Sequence, residues 1–195
     1  MTVFLVIIAA AFALFDVAYY IRVVISIILY TRKGKFRRMS ILDESMINGV
    51  CWTSDLDANW HMNNSRYLRE CDFARMKLFL EKGIFSGLWK SNASITNGGS
   101  TIRYRKSLQL MDFFLIKSKI LHWDSKAFYL EHQIIETKTN FVSAIALVKM
   151  VVKGASPDTV LNKMDINLKS PTPPPELQKL IELNQISSEK LRKAM

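Results

Sequence analysis

A continuous apolar pattern covers residues 3–30, where Asp16 and Arg22 are the only charged side chains. A helix needs roughly 20 apolar residues to cross the hydrocarbon core of a bilayer, and this stretch exceeds that length. Five cations follow it: Arg32, Lys33, Lys35, Arg37 and Arg38. Because cations accumulate on the cytoplasmic side of membrane helices, the pattern predicts an anchor in residues 1–30, a basic juxtamembrane linker in 31–44 and a domain facing the cytosol.

A cleaved secretory signal is the alternative interpretation of the same segment. Residues 3–15 resemble the apolar core of a signal peptide, and residues 11–13 offer small side chains for cleavage. The mature protein would then be secreted, with sugars expected on the sequons at Asn63 and Asn92. No basic residue precedes the apolar run, so we favour a retained anchor, and we expect the membrane to be that of the endoplasmic reticulum.

Beyond residue 44 the pattern changes to shorter apolar runs separated by polar turns. Residues 45–53 are rich in β-branched and aromatic side chains and predict a strand. Residues 63–82 have helical spacing, with one broad apolar face and a second apolar strip beside it. Such a helix has to be covered by other elements on more than one side.

Four further runs predict strands joined by short polar connections: residues 94–108, 109–123, 126–139 and 140–153. The order is therefore a strand, a long helix and four antiparallel strands. One long helix embraced by an antiparallel sheet is an α+β architecture, because the two layers cover each other's apolar faces. We assign this domain to residues 45–153.

The remaining part, residues 154–195, contains a proline-containing linker and a predicted C-terminal helix over 176–194. Four prolines between positions 171 and 175 make an extended, stiff connection. The helical spacing predicts that the helix packs on the domain through a few apolar side chains: Leu177, Leu180, Ile181 and, as a further candidate, Leu191.

The formal net charge of +10 raises the question of nucleic acid as a partner. Five of the cations lie beside the apolar segment, where anionic lipid accounts for them. Others, such as Arg103 and Arg105, lie on candidate strands without the aromatic residues of an RNA-binding sheet. We therefore expect a membrane and no nucleic acid. A phosphorylated small molecule such as coenzyme A, or simply a solvated basic face, accounts for the dispersed cations equally well.

Cys51 and Cys71 are the only cysteines. Two cysteines are too few for a disulfide framework, and their spacing is not that of a zinc site. We expect both thiols to be reduced, and the sequence predicts neither a metal nor a cofactor.

The densest polar group lies between the predicted strand and the long helix, in residues 55–67. Asp57 can act on a thioester carbonyl in two ways, as the base that activates water or as the nucleophile that forms a mixed anhydride. Asn59 can position water or substrate, and His61 can carry a proton, since histidine is the side chain type suited to proton transfer near neutral pH. The helix start adds N–H donors for the developing oxyanion. Asp55 is a secondary candidate, as a second carboxylate beside Asp57.

A structural interpretation of the same loop has equal weight from the residues alone. Asp and Asn before a helix also form ordinary caps and side-chain turns. Tyr67 then packs with its hydroxyl satisfied, and Asp72 forms an ion pair with Arg75 three residues later.

The segment Asp55 to Tyr67, followed by a long helix and four strands, resembles the 4-hydroxybenzoyl-CoA thioesterase branch of the hotdog superfamily. The resemblance covers nearly the whole chain and implies a hotdog fold, pairing into homodimers or larger assemblies, and sites at the subunit interface. Asp57 matches the position of the nucleophile or base in this branch, and Asp72 falls where many relatives carry a helix glutamate. Trp60 departs from the pattern, because many relatives have glycine there.

The spacing of Asp57, Asn59 and His61 is also similar to that of plant acyl-carrier-protein thioesterases, where these residue types are assigned to catalysis. The prediction is therefore a membrane-associated hydrolase of fatty acyl thioesters such as acyl-CoA, with Asp57, Asn59 and His61 as catalytic residues. We expect four residues to contact substrate: Trp60, Asn63, Asn64 and Tyr67. The alternative is a non-catalytic hotdog protein that binds lipid or acts as a scaffold.

Overall fold

The computed structural model describes the following parts of the chain: residues 4, 6, 10, 12, 14–32 and 40–193. Its elements, in chain order, are α1 (Val17–Arg32), β1 (Ser45–Val50), a 3-10 helix (Thr53–Asp55), α2 (Asn64–Lys82), α3 (Ile84–Lys90), β2 (Ser94–Tyr104), β3 (Phe113–Trp123), β4 (Ala127–Glu136), β5 (Phe141–Lys153), α4 (Pro157–Asn162) and α5 (Pro175–Lys193). The predicted order of one strand, a long helix and four strands is confirmed. The short helices α3 and α4 were not predicted.

The five strands form one antiparallel sheet in the order β1-β3-β4-β5-β2. Strands β3, β4 and β5 follow one another through short connections, as the sequence predicts. Strands β1 and β2 lie at the two edges. Along β3 the side chains alternate between buried and partly exposed positions, because successive residues of a strand point to opposite faces.

Helix α2 packs its apolar side chains against the buried face of this sheet. Cys71 and Ala74 belong to the same core cluster as Ile116 and Ile134 of the central strands, and Leu78 joins a second cluster over the other half of the sheet. The helix begins after Asn63, which caps it, and ends at Gly83, whose φ of 74° lies in the left-handed region. The expected α+β architecture of a long helix against an antiparallel sheet is confirmed.

Helix α1 packs on the side of α2 that the sheet leaves uncovered. The guanidinium of Arg22 donates to both carboxylate oxygens of Glu70 at 2.5 Å, and it also lies 3.9 Å from the centre of the Phe73 ring. Asp16 pairs with Arg69 at 3.1 Å. The two charged side chains of the N-terminal apolar segment therefore both pair with residues of α2.

The predicted membrane-spanning segment, residues 3–30, lies partly outside the described residues. Within the described ranges, no helix combines the length and the apolar character needed to cross a membrane. The basic stretch at 33–39 also lies outside the described residues.

The C-terminal helix α5 docks on the sheet as predicted. Leu177 is fully buried against Ala127 and Tyr129, with Leu180 and Ile181 packed beside it. Leu191, named as a further candidate for this contact, is instead exposed. The last turns of α5 therefore extend beyond the sheet surface that holds its beginning.

Candidate active site

A tight hairpin presents Asp57, Asn59 and His61 on the surface in front of α2. The backbone N–H of Asp57 donates to the carbonyl of His61, and the N–H of Trp60 donates back to the carbonyl of Asp57. Leu56 and Met62 pair as an antiparallel bridge below this turn. The loop is therefore closed by its own backbone hydrogen bonds. These bonds hold Asp57 and His61, at the two ends of the loop, next to each other.

The carboxylate of Asp57 and the imidazole of His61 face each other. His61 Nδ1 lies 3.5 Å from Asp57 Oδ1 and 3.3 Å from the carbonyl oxygen of Met62. Both side chains are partly accessible, with 22% of Asp57 and 29% of His61 exposed. Proton transfer to or from water requires an acid-base pair that is held in place and is still accessible to solvent, and this pair meets both conditions.

Asn59 contributes to this pair through its backbone. Its N–H donates to Asp57 Oδ1 at 2.9 Å, so the same carboxylate oxygen faces both Asn59 and His61. The side chain of Asn59 is exposed, which leaves its amide open to a molecule bound in front of the loop. The three residues predicted to be catalytic therefore lie together.

Asp55 has a different environment from Asp57. It is buried, its Oδ2 accepts the N–H of Trp52 at 2.9 Å, and its backbone carbonyl accepts the N–H of Asn63. These bonds join the 3-10 helix to the start of α2. Asp55 thus stabilises the base of the loop.

Asn63 and Asn64 hold the beginning of α2. The side-chain oxygen of Asn63 accepts both the N–H and the hydroxyl of Ser65. The backbone N–H of Ser65, in the first turn of α2, therefore already has a partner. The carbonyl of Asn64 accepts the hydroxyl of Tyr104 at 2.8 Å. The helix start is therefore tied to edge strand β2.

Tyr67 connects α2 to the segment that backs the hairpin. Its ring is buried, and its hydroxyl oxygen accepts the N–H of Leu108 at 2.9 Å. Burial raises the pKa of this phenol, although the bond from Leu108 opposes the shift. Met62 in turn donates to the carbonyl of Leu108, and His61 pairs with Gln109 as an isolated bridge.

Trp60 lies at the tip of the hairpin with 76% of its surface exposed. Its φ of 59° lies in the left-handed region, which is uncommon for a bulky residue. A glycine would adopt this conformation without strain, in agreement with the glycine that many members of the resembled family carry here. The indole is thus held outside the protein core at the edge of the site.

Asp72 does not lie in the hairpin group. It follows Asn64 by eight residues, a separation of about 12 Å along a helix axis, and it pairs with Arg75 as predicted. Burial raises the pKa of Asp72, and the charge of Arg75 opposes the shift. Asp72 lines a separate cavity beside α1.

The segment around Leu108 and Gln109 was not predicted to belong to the site, because it reaches the hairpin only through long-range backbone pairing. Cys51 is fully buried below the loop, which the sequence pattern does not show. Burial raises the pKa of that thiol to about 11, with Asp55 and Asp112 adding to the effect. Cys51 is therefore a poor nucleophile at neutral pH. In the described part of the chain, no cluster of His, Cys, Asp or Glu residues could hold a metal ion.

The fold and this loop define a class of protein. Residues 51–181 match the thioesterase-like superfamily, and the chain belongs to that family. A solved gentisyl-coenzyme A thioesterase is similar in fold, with a TM-score of 0.54 at 22% identity over 62% of this chain and 99% of its own.

More similar sequences are found among curated proteins. Protein THEM6 of Xenopus laevis is 40% identical over 188 residues, which cover 95% of this chain and 89% of that protein. Protein THEM6 of Drosophila melanogaster is 34% identical and covers 97% of both chains. These similarities extend into the N-terminal region that contains α1.

We predict that Tyr67→Phe destabilises the protein, because it leaves the buried N–H of Leu108 without an acceptor. The expected loss is about 1 to 3 kcal/mol in the free energy of unfolding, measured by urea denaturation. Tyr104→Phe is the matched control, since it removes the hydroxyl of a more exposed tyrosine and is expected to cost less. Equal effects of the two substitutions would contradict the role assigned to Tyr67.

Proposed function

We propose that the protein hydrolyses fatty acyl thioesters, with acyl-CoA as the substrate class, at the hairpin that carries Asp57, Asn59 and His61. Membership of the thioesterase-like superfamily supports the reaction type. The observation that carries the proposal is the accessible pair formed by Asp57 and His61, in which Asp57 Oδ1 lies 3.5 Å from His61 Nδ1.

In the general-base route, Asp57 removes a proton from water as the water oxygen attacks the thioester carbon. The tetrahedral intermediate then expels the thiolate, which takes up a proton from His61 or from the protonated Asp57. In the nucleophilic route, Asp57 attacks the carbonyl carbon itself and the C–S bond breaks, so that the thiolate leaves and takes up a proton. Water then opens the resulting mixed anhydride, which releases the fatty acid and restores the Asp57 carboxylate. The exposed side-chain amide of Asn59 is suited to donate to the oxygen that becomes negative in either route.

We predict that Asp57→Asn lowers kcat/KM for acyl-CoA hydrolysis by at least about 100-fold, because the amide neither accepts the proton nor attacks the carbonyl. The assay uses the purified full chain, a series of acyl chain lengths and release of free thiol. Asp165→Asn is the matched control, because Asp165 lines a different cavity together with Lys82 and Gly83.

Equal melting temperatures of the wild type and both variants have to accompany this assay. If the intact protein hydrolyses no acyl-CoA of any chain length, the non-catalytic lipid-binding or scaffolding function replaces the proposal. If Asp57→Asn retains full activity, the hairpin is not the catalytic site. The loop then serves as the cap and turn that its hydrogen bonds form.

We also propose that the chain forms a homodimer through β2. This strand has 11 residues, most of them exposed, and lies at an edge of the sheet. Among the described residues, one row of its backbone groups has no neighbouring strand. Pairing of two copies would bring a second chain beside Tyr104, which binds the start of α2.

Sedimentation equilibrium of the full chain should give twice the mass of 22.4 kDa, and a monomer at micromolar concentration would disprove the dimer.

The third proposal is association with the endoplasmic reticulum membrane, with the domain in the cytosol. It is supported by the outer face of α1, where Ile21, Val24 and Ile25 are about half exposed, and by the cations that follow α1 in the sequence. A helix with an apolar outer face and adjacent cations is suited to an anionic bilayer surface.

For this proposal we predict that the full chain, synthesised in the presence of phosphatidylserine-containing vesicles, floats with them in a density gradient. The double variant Ile21→Asp/Ile25→Asp should lose at least about tenfold in the bound-to-free ratio, because each isoleucine contributes roughly 1.5 to 3 kcal/mol when buried in hydrocarbon. Ile186→Asp/Leu191→Asp makes the same change at exposed positions of α5 and should float like the wild type. Equal loss in both double variants would argue against a specific role of α1.

A further inference from the structure

The C-terminal part of the chain crosses the face of the sheet that α2 does not cover. Before α5, the hydroxyl of Ser170 accepts the backbone N–H of the last residue of β3 at 2.8 Å. On α5, Leu177 is buried against Tyr129 of β4. Further along, Asn184 Oδ1 lies 3.9 Å from the position that a Cβ on Gly99 of β2 would take. In the sheet β5 lies between β4 and β2, so α5 runs from the middle of the sheet toward the edge strand β2.

The dimensions agree with a path almost perpendicular to the strands. Asn184 follows Leu177 by seven residues, which is about 10 Å along a helix axis. From β4 to β2 there are two strand spacings, which is roughly 9.5 Å. Tyr129 and Gly99 both pair with Lys149, so they lie in one row across the sheet. Residues 185–193 continue α5 in the same direction and therefore extend about 13 Å beyond β2.

The side of α5 that docks on the sheet also continues beyond this edge. Leu177, Ile181 and Asn184 lie on that side. Successive residues of a helix are about 100° apart, so Leu191 lies about 40° from Leu177 around the axis and Ile186 about 180° from it. Leu191 thus points toward the plane of the sheet. It is nevertheless 66% exposed, because the sheet of the described chain ends at β2.

A second copy of the chain, paired antiparallel along β2, extends the sheet in the direction in which α5 leaves it. Neighbouring strands lie about 4.8 Å apart, so the partner's β2 and β5 follow at roughly 5 and 10 Å. Leu191 lies about 10 Å beyond β2 along the helix axis. It therefore reaches the partner's β5. Because a two-fold interface is self-complementary, the partner's α5 makes the same contact in return.

The spacing of packed helices limits the register of this pairing. The two α5 helices run toward each other and have to pass side by side, about 8 to 10 Å apart. Half of that distance places the two-fold axis about one or two residues along β2 from Gly99. On one side of this row Leu147, which pairs with Thr101, is only partly buried. On the other side Val151 already packs with its own α5. The axis is thus expected on the Thr101 side, with Leu191 near the partner's Leu147.

We propose that the last turns of α5 bind the outer sheet face of a second copy, with Leu191 in contact with the partner's β5. The inference rests on the homodimer through β2 proposed above, and it does not require hydrolysis at the hairpin. Edge pairing alone joins the two copies through backbone hydrogen bonds. The α5 contact adds an apolar contact that is made twice, and it gives the exposed end of the docking side a surface to pack on.

Sedimentation equilibrium of the full chain separates this contact from the pairing of β2. Leu191→Asp should raise the dissociation constant of the dimer at least about tenfold, because it removes an apolar contact from both halves. Ile186→Asp is the matched control. Ile186 is 64% exposed on the same helix but points away from the sheet, so the dissociation constant should stay unchanged. Each copy keeps its own α1, so both variants should still float with vesicles like the wild type.

A photochemical crosslink identifies the surface that Leu191 contacts. The photoreactive residue p-benzoylphenylalanine replaces Leu191, and irradiation should then join two chains covalently. Mass spectrometry of the joined chains should place the crosslink on the outer face of the partner's β5 near Leu147. The same residue in place of Ile186 should give no joined chains.

The outcomes distinguish this contact from the dimer on which it rests. A wild-type dimer that Leu191→Asp leaves intact would overturn the α5 contact and retain the β2 dimer. Equal weakening by Leu191→Asp and Ile186→Asp, or crosslinks from position 191 that avoid the partner's β5, would also overturn the contact. A wild type that is monomeric at micromolar concentration would overturn both.

Discussion

Helix α2 has apolar side chains on more than one side, and the rest of the structure is arranged around the need to bury them. The sheet covers Cys71, Ala74 and Leu78, while Phe73 on the adjacent side contacts Tyr19 of α1. A helix that is apolar over more than one face gains hydrophobic free energy only when each face has its own cover. The sheet, the N-terminal helix and the short helix α3 each supply part of that cover.

The charged residues of the N-terminal segment have a structural explanation in this arrangement. Asp16 and Arg22 are costly inside a bilayer, yet here they form pairs with Arg69 and Glu70 on α2. The Glu70 side chain is 5% exposed, so its charge is compensated by the two bonds from Arg22. The opposite face of α1 carries its exposed apolar residues. One side of α1 thus forms ion pairs with the domain, and the opposite side exposes apolar residues.

Local patterns were sufficient to predict the strands, α2 and the polar loop between β1 and α2, because each has its own periodicity or turn residues. The capping role of Asn63, the pair of Asp72 with Arg75 and the docking of Leu177 also follow from spacing along the chain. The packing of α1 on α2 could not be predicted in this way, since it depends on residues 48 positions apart in sequence. The short helices α3 and α4 have too few residues for a reliable period.

The candidate site shows the same division between local and long-range information. Asp57, Asn59 and His61 are brought together by a five-residue turn, so their spacing alone indicated that they act as a group. What holds that turn at the start of α2 is the pairing of Met62 and His61 with Leu108 and Gln109, and Leu108 is in turn fixed by Tyr67. Helix α2 therefore connects two regions: its first turns support the hairpin, and its middle turns line the cavity beside α1. Because α1 packs on the middle of α2, the packing of this one helix connects the N-terminal segment to the hairpin.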